Sequence, residues 1–359
     1  EKARNHPSIH IYKNNNIHST NIQRNGDLEE GFSECDIIVE ETYRTPAQEH
    51  AYIEPQGCIA VPEQDGFITV YGSMQCPFYV QRVVSDLLSK PLSHVRIIQT
   101  PTGGAFGGKE DVPSQVGGLA ALAAFLTGRP AKLVYSREED ILSTSKRHPA
   151  IIHSKAGAKK DGTIYAWSTE YILNSGAYAT LGPAVLFRGT LHAAGPYRIP
   201  NVDVQSFLVA TNLVPFGAFR GFGSPQVVFA AEEQVDRLAH LLDINPAEMR
   251  RRNLLRVNDR TTFGQLLDHS VGATKTLDLC LEKSGWEQKW RKAPIARELL
   301  QHYEASHEKL SGMGISTIFY GVGLGAAGHR LSRSGAYVQI HRDGSVLFSV
   351  GTTEMGQGM

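Results

Sequence analysis

No C-x-x-C pair occurs in this 359-residue chain, and its four cysteines (Cys35, Cys58, Cys76, Cys280) are scattered. That spacing argues against a zinc knuckle, an iron-sulfur cluster held by this chain or a disulfide framework, and a reducing, cytoplasmic setting fits it best. Net charge is missing too. The 36 basic residues balance 36 acidic ones, so no global field draws in nucleic acid or an anionic membrane. Long hydrophobic runs are absent: the longest, VGGLAALAAFL (Val116 to Leu126), falls short of the ~20 residues that cross a bilayer and reads as a buried helix. No internal repeat or low-complexity tract is visible. The opening EKARNHPSIH has neither an initiator Met nor an apolar h-region, which predicts no secretory signal and a start cut from a longer chain.

What is present is patterned apolar sequence and a great deal of glycine. Alternation or short apolar runs predict strands at CDIIVEETY (Cys35 to Tyr43), GFITVYGS (Gly66 to Ser73), HVRIIQT (His94 to Thr100), AKLVYS, IIHSKAGAK and TIYAWSTEYIL. Helical spacing predicts helices over Pro77 to Ser89, from near Val112, and over Pro225 to Leu242, where Pro sits at a permitted first-turn position. A charged helical pattern runs from Thr274 to His307. Beyond LSGMGI, AYVQIHRDGSVLFSV reads as a hairpin with Asp-Gly at its turn. A module boundary is expected near Ser311. Mixed strands and helices with antiparallel hairpins favour an α+β fold with mixed sheets and packed helices over a doubly wound one.

Three glycine loops carry the chemical interest. TPTGGAFGGKED (Thr100 to Asp111) joins a predicted strand to a helix, and glycine there lets backbone N–H groups approach an anion without a Cβ in the way. The order is wrong for a dinucleotide fold. Gly103, Gly108 and Lys109 match a P-loop, but Glu110 stands where a hydroxyl must bind Mg²⁺, and its charge would repel phosphates. PFGAFRGFGSPQ (Pro215 to Gln226) sets Phe219, Arg220 and Phe222 among glycines. GTTEMGQG (Gly351 to Gly358) places Gln357 between two. The bland alternative for each is a tight turn. Together they suggest a large polar cofactor gripped from several sides.

GGAFGGKE, GAFRGFGSPQ and TEMGQG resemble the molybdopterin-binding part of the molybdenum hydroxylases, the xanthine dehydrogenase and aldehyde oxidase family. QEHAYIEP (Gln48 to Pro55), GSMQ (Gly72 to Gln75) and YRIPNV (Tyr197 to Val202) are similar as well, in the family's order and over almost the whole chain. The resemblance implies residues 1–310 as a first molybdopterin-binding domain and 311–359 as the truncated start of a second. It implies a molybdenum-molybdopterin cofactor, in its plain or cytosine dinucleotide form, with iron-sulfur clusters and FAD on other domains or subunits. The activity implied is oxidative hydroxylation of hypoxanthine, xanthine or a related N-heterocycle with water as oxygen source. An aldehyde or nicotinate hydroxylase and a non-catalytic scaffold or cofactor-insertion member are the alternatives. The family's catalytic base, a glutamate, is expected beyond Met359, so this chain alone is expected to be an inactive fragment that needs the remaining half of the molybdopterin subunit.

Residue by residue, Gln75 matches the glutamine that hydrogen-bonds a ligand of molybdenum. Phe106 and Arg220 match positions whose backbone lies against the metal's ligands, and Gly107, Gly356 and Gln357 match positions that hold the pterin and its phosphate. Glu110 and Arg188 fall where xanthine dehydrogenases keep a carboxylate and a guanidinium on either side of a purine, and Phe222 where a ring stacks on the substrate. An arginine there stabilises negative charge that develops on the heterocycle, and a glutamate steers its tautomer. Outside this context, a surface ion pair and a core aromatic would be the ordinary readings. Ala105 and Ser224 replace usual glycines. Ala326 and Ala327 lie where purine enzymes carry a second aromatic and a threonine, which predicts a wider pocket. Cys76 is assigned no role.

Overall fold

The computed structural model describes residues 2–5, 15–290, 312–321, 323 and 334–359. Within them the chain builds two helix-backed sheets and shuttles between them. It starts with β1 (Ile17–Asn25). Asp27 then caps α1 (Leu28–Ser33) by accepting from the N–H groups of Glu29 and Glu30, and β2 (Ile37–Thr45) follows. The second sheet comes next. β3 (Gly57–Pro62) pairs antiparallel with β4 (Ile68–Gly72), α2 (Pro77–Leu88) crosses over, and β5 (Val95–Gln99) returns parallel to β4. After α3 (Val112–Thr127), β6 (Ala131–Val134) closes on the other edge of β3, giving the order β5-β4-β3-β6.

The return path is short. α4 (Arg137–Ser143) opens with a capping box between Ser136 and Glu139, which satisfies two otherwise orphaned N–H groups. The two-residue β7 (Lys146–Arg147) leads to β8 (Ala150–Ala158) and the long β9 (Ile164–Gly176). α5 (Gly182–His192) then precedes β10 (Asn201–Ala210), which runs parallel to β9 and antiparallel to β1, so the first sheet reads β1-β10-β9-β8-β2. β11 (Phe216–Gly217) pairs with β7 and feeds α6 (Ser224–Leu241), α7 (Pro246–Asn253), α8 (Ala273–Ser284) and α9 (Trp286–Lys289). β12 (Ala336–Ile340) and β13 (Val346–Val350) form a hairpin exposed on both faces. These are mixed sheets with packed helices, an α+β fold.

Each sheet has its own core. In the smaller one, Val80, Val84, Val116 and Ala121 are fully buried between α2, α3 and the sheet, and each such valine contributes roughly 1.5–3 kcal/mol. Gly117 lets the helices close, because a Cβ there would stand 2.9 Å from Val80. The larger core buries Trp167, Tyr171 and Leu238 together with Leu277 and Leu281 of α8. Arg250 is fully buried within it and paired with Glu232 at 2.9 Å and Asp236 at 2.6 Å.

The strands expected from alternation all form. β1, β3, α5 and β10 add to them. The charged helix expected to run from Thr274 breaks at Gly285, which adopts a φ of +67°. Its continuation to His307 and the boundary near Ser311 lie outside the described residues. The hairpin turn is closed by His341 and Ser345, with Gly344 at a φ of +84° and Asp343 accepting from the Ser345 N–H.

Candidate active site

The three glycine loops converge on one cavity. The first loop leaves β5 for α3, the second leaves β11 for α6, and the third follows β13. Together they enclose a cavity of about 870 Å³ whose lining includes Gln75, Phe106, Gly107, Glu110, Arg188, Arg220, Phe222, Gly356 and Gln357. Gly107 makes the seam possible: with a φ of +100°, a Cβ there would stand 2.7 Å from the Ala218 carbonyl. The Arg220 N–H donates to the Phe106 carbonyl at 2.8 Å and locks the two loops together. Phe106 and Phe222 both hold left-handed backbone, at φ of 54° and 46°, a conformation that costs about 1–2 kcal/mol in a residue with a Cβ. Such strain persists only where surrounding contacts impose it.

Gln75 sits in the link between β4 and α2. Its backbone N–H donates to the Lys109 carbonyl at 2.7 Å, and its side-chain oxygen accepts from the N–H groups of Gly107 (2.8 Å) and Lys109 (3.4 Å). The amide NH₂ is thereby left without a partner among the described residues, as a donor on the cavity wall. The third loop is tied here too, through Thr353 to the Gln75 carbonyl (3.0 Å) and Gln99 to the Glu354 carbonyl (2.8 Å).

Glu110 has no cation within pairing distance among the described residues, and burial, reinforced by the neighbouring Asp111 carboxylate, pushes its carboxyl up to about 7. Arg188 projects from α5 and is only 3% exposed. One nitrogen of its guanidinium donates to the Gly323 carbonyl, its Nε is buried without a partner, and no carboxylate pairs with it among the described residues. The guanidinium carbon lies 4.4 Å from the Tyr320 ring centroid and 6.0 Å from that of Phe222. One wall of the cavity is therefore a buried, unneutralised cation and another a carboxyl poised between its two states.

The supporting shell comes from residues to which sequence reasoning gave no role. His50 donates from Nε2 to the Ala218 carbonyl (2.7 Å) and stacks on Phe219 at 4.3 Å. Arg147 lies 3.8 Å from the centroid of the same ring and donates to the Arg220 carbonyl at 3.0 Å and to Gln48 at 2.9 Å. The second loop is thus gripped through Phe219 and two carbonyls, and the segment QEHAYIEP is its clamp. Gly108 packs on that segment: a Cβ there would stand 2.6 Å from the Tyr52 ring and 2.8 Å from His50. Lys109, the P-loop look-alike, is fully buried and pairs with Glu54 at 2.8 Å and Ser73 at 3.0 Å. Tyr52 and the Gln56 N–H both donate to buried Asp140, at 2.6 and 2.9 Å. The signal available was the run of polar residues in QEHAYIEPQ, too many for a plain turn.

The loops are less open to an anion than their glycines suggest. The Gly103 N–H is taken by Glu54 and that of Gly107 by Gln75. In the third loop the N–H groups of Gly356, Gly358 and Met359 converge on the Glu354 carboxylate, which they hold below its ordinary range, and the Gln357 amide donates to the Thr353 carbonyl. The N–H groups of Gly104, Phe106, Ala218, Phe219 and Gly221 have no partner among the described residues, and all five residues line the cavity. A polar, multiply anionic cofactor of pterin size fits this donor set, with the free Gln75 amide and the loop N–H groups as the elements that would hold it. Burial first, then Glu110 and Asp111, push the Cys76 thiol up to about 12, which favours its protonated form. Ala105 is buried. Ser224 is buried at the start of α6. Ala326 and Ala327 lie outside the described residues.

The molybdopterin cofactor-binding domain family matches residues 9–254, and a second family of the same description matches 279–359. The chain is 36% identical to a probable xanthine dehydrogenase subunit of Bacillus subtilis over 359 residues, covering 100% of this chain and 46% of that protein. It is 42% identical over 284 residues to the nicotinate dehydrogenase large molybdopterin subunit of Eubacterium barkeri, covering 79% of this chain and 66% of that subunit. The aldehyde oxidoreductase of Desulfovibrio gigas superimposes with a TM-score of 0.78 at 25% identity, over 96% of this chain and 36% of that one. The chain thus spans less than two thirds of the relatives it matches.

Proposed function

This chain belongs to the molybdopterin cofactor-binding domain family of the molybdenum hydroxylases, and from that premise we propose that its cavity serves the oxidative hydroxylation of a purine, hypoxanthine or xanthine, or of a related N-heterocycle such as nicotinate. The observation that carries this reading is Arg188: a buried guanidinium with no carboxylate partner among the described residues, on the wall of the same cavity as Glu110 and Phe222. An unpaired buried cation is costly, and an electron-poor ring that gains negative charge as it is attacked relieves that cost most at the transition state. When bound, the molybdenum cofactor would supply the oxygen transfer and the two-electron redox chemistry. The chain's own residues do the rest. Gln75 offers its free amide as a donor to the metal's ligands, with its oxygen anchored by Gly107. Phe106 and Arg220 bring backbone against the same group, and Gly107, Gly356 and Gln357 border the pterin. Glu110, when protonated, donates to a ring nitrogen or carbonyl and fixes the tautomer, and Phe222 packs on the ring face.

The wider assembly belongs to the same proposal. Iron-sulfur and FAD subunits or domains take the electrons, and the remaining half of the molybdopterin subunit closes the cavity and brings the base. The pterin takes its plain or its cytosine dinucleotide form. We place the division between the two molybdopterin domains near Ser311, since Leu277 and Leu281 of α8 pack into the larger core and keep that helix with the first unit. The unpaired state of Cys35, Cys58, Cys76 and Cys280 supports a reducing compartment, the cytoplasm, and no helix among the described residues is long and apolar enough to cross a membrane. A non-catalytic scaffold has no use for an unneutralised Arg188, and an aldehyde needs neither it nor Glu110.

The test is turnover of hypoxanthine, xanthine and nicotinate by the full-length complex. Arg188→Ala or Glu110→Ala is expected to lower kcat/KM by a factor equivalent to about 2–4 kcal/mol. A loss under about threefold, well inside the range of incidental effects, would refute the assignment.

A further inference from the structure

We propose that Tyr320 is a specificity-determining residue of this site: its ring forms a second aromatic wall and sets the orientation in which Arg188 meets the substrate. The inference rests on the N-heterocycle reading above and deepens it, by naming a residue of the cavity wall beside Arg188 that the reading does not use.

Tyr320 lines the cavity and is half exposed, at 49%. It lies on a strap fastened at both ends. At one end the Thr317 N–H donates to buried Glu232 at 2.7 Å, and the Thr317 hydroxyl meets the Tyr197 hydroxyl at 2.7 Å. At the other end the Gly323 carbonyl accepts from Arg188. Between these anchors the Tyr320 ring lies 4.4 Å from the guanidinium carbon and 5.7 Å from the ring of His192, in a stacked arrangement. His192 stands one turn beyond Arg188 on α5, its Nδ1 bonded to the Arg188 carbonyl at 2.6 Å, and it also packs on Phe319 at 4.8 Å. The strap and the helix therefore clasp each other through Tyr320 and His192.

Arg188 is left with one nitrogen spent on Gly323 and its plane fixed by a π-face, while Nε and the remaining terminal nitrogen have no partner among the described residues. A guanidinium held this way serves flat ligands that present an acceptor edge or a carboxylate, and the Tyr320 π-face beside it rewards an aromatic body. The Tyr320 hydroxyl, without a hydrogen bond among the described residues, adds a donor that an uncharged aldehyde does not need.

The experiment uses the full-length, molybdenum-loaded complex carrying Tyr320→Phe, Tyr320→Leu or Tyr320→Met. It measures KM and kcat for xanthine, nicotinate and an uncharged aliphatic aldehyde, and calorimetric binding of nicotinate and xanthine, all normalised to molybdenum content. Tyr320→Leu should weaken binding of whichever heterocycle the wild type takes, and raise its KM, about tenfold, with the aldehyde little affected, while Tyr320→Phe recovers to within about threefold. Tyr320→Met carries the same test if the leucine variant loses molybdenum. The inference is overturned if the leucine variant matches wild type, if phenylalanine falls as far as leucine, if the aldehyde is lost in parallel, or if leucine and methionine both abolish molybdenum incorporation. A wild-type complex that binds neither probe would instead overturn the N-heterocycle reading, and this inference with it.

Discussion

Glu110 offers the sharpest physical test. Its carboxyl is displaced from an ordinary 4.5 to about 7, with burial the larger cause and Asp111 the smaller. That displacement corresponds to roughly 3 kcal/mol of preference for the protonated form. Between about pH 4.5 and 7 the folded protein binds more protons than the unfolded chain, so stability falls as pH rises through this window and is flat above it. Glu110→Gln keeps the shape and a donor, and removes the ionisation. The variant should match wild type near pH 4.5 and exceed it at pH 8 by up to about 3 kcal/mol, less whatever the glutamine loses in fit.

Two measurements on the full-length protein without cofactor check this. Thermal melts at the two pH values should show the variant's advantage only at the higher one. Infrared difference spectra, wild type minus Glu110→Gln, should contain a carboxylic-acid C=O stretch at pH 6 that fades through about 7. A Glu110 already ionised at pH 6, or a variant advantage that is the same at both pH values, would refute the burial argument. The same titration bears on function: if the protonated form steers the substrate, kcat/KM in the loaded complex should decline above about pH 7 in wild type, with that limb lost in the glutamine variant.

Lys109→Met should lower stability by about 2–3 kcal/mol, less than the loss of a fully buried pair because Glu54 keeps some solvent, as read from urea unfolding. Gly107→Ala should cost more than about 2 kcal/mol and displace the second loop, seen as loss of molybdenum from the purified complex, because the new Cβ meets the Ala218 carbonyl at a backbone angle that alanine resists. Arg147→Lys should impair turnover more than stability, since a lysine cannot hold Gln48 and the Arg220 carbonyl while stacking on Phe219. Intact kcat in that variant would mean that the loop needs no clamp.

What was legible in the chain divides along physical lines. Elements that bury one face, such as β2 and α6, show their period because burial imposes it within the element itself, whereas β4 and α3, buried on more than one face, could be read only as unbroken apolar runs. β10 alternates as plainly, in NVDVQSFLVA, but its first two residues belong to YRIPNV, a segment that also carries the family resemblance. α5 carries Arg188 and His192 inward, and its apolar pattern is interrupted by the residues that make it useful. In the site, recurring glycines pointed to three loops, but not to what each glycine is for. Gly107 and Gly108 serve loop-to-loop and loop-to-clamp contact, and the N–H groups of Gly103 and Gly107 are spent on Glu54 and Gln75. Lys109 followed by Glu110 looked like a failed phosphate loop. The fold turns the two in different ways, the lysine inward to Glu54 and the glutamate to the cavity wall, so that neighbours in sequence acquire unrelated chemistry. A side chain's partner is a property of the tertiary contact that covers it, so charges in glycine-rich turns are where sequence reasoning has least hold, and where substitutions such as Glu110→Gln and Lys109→Met should differ most in effect.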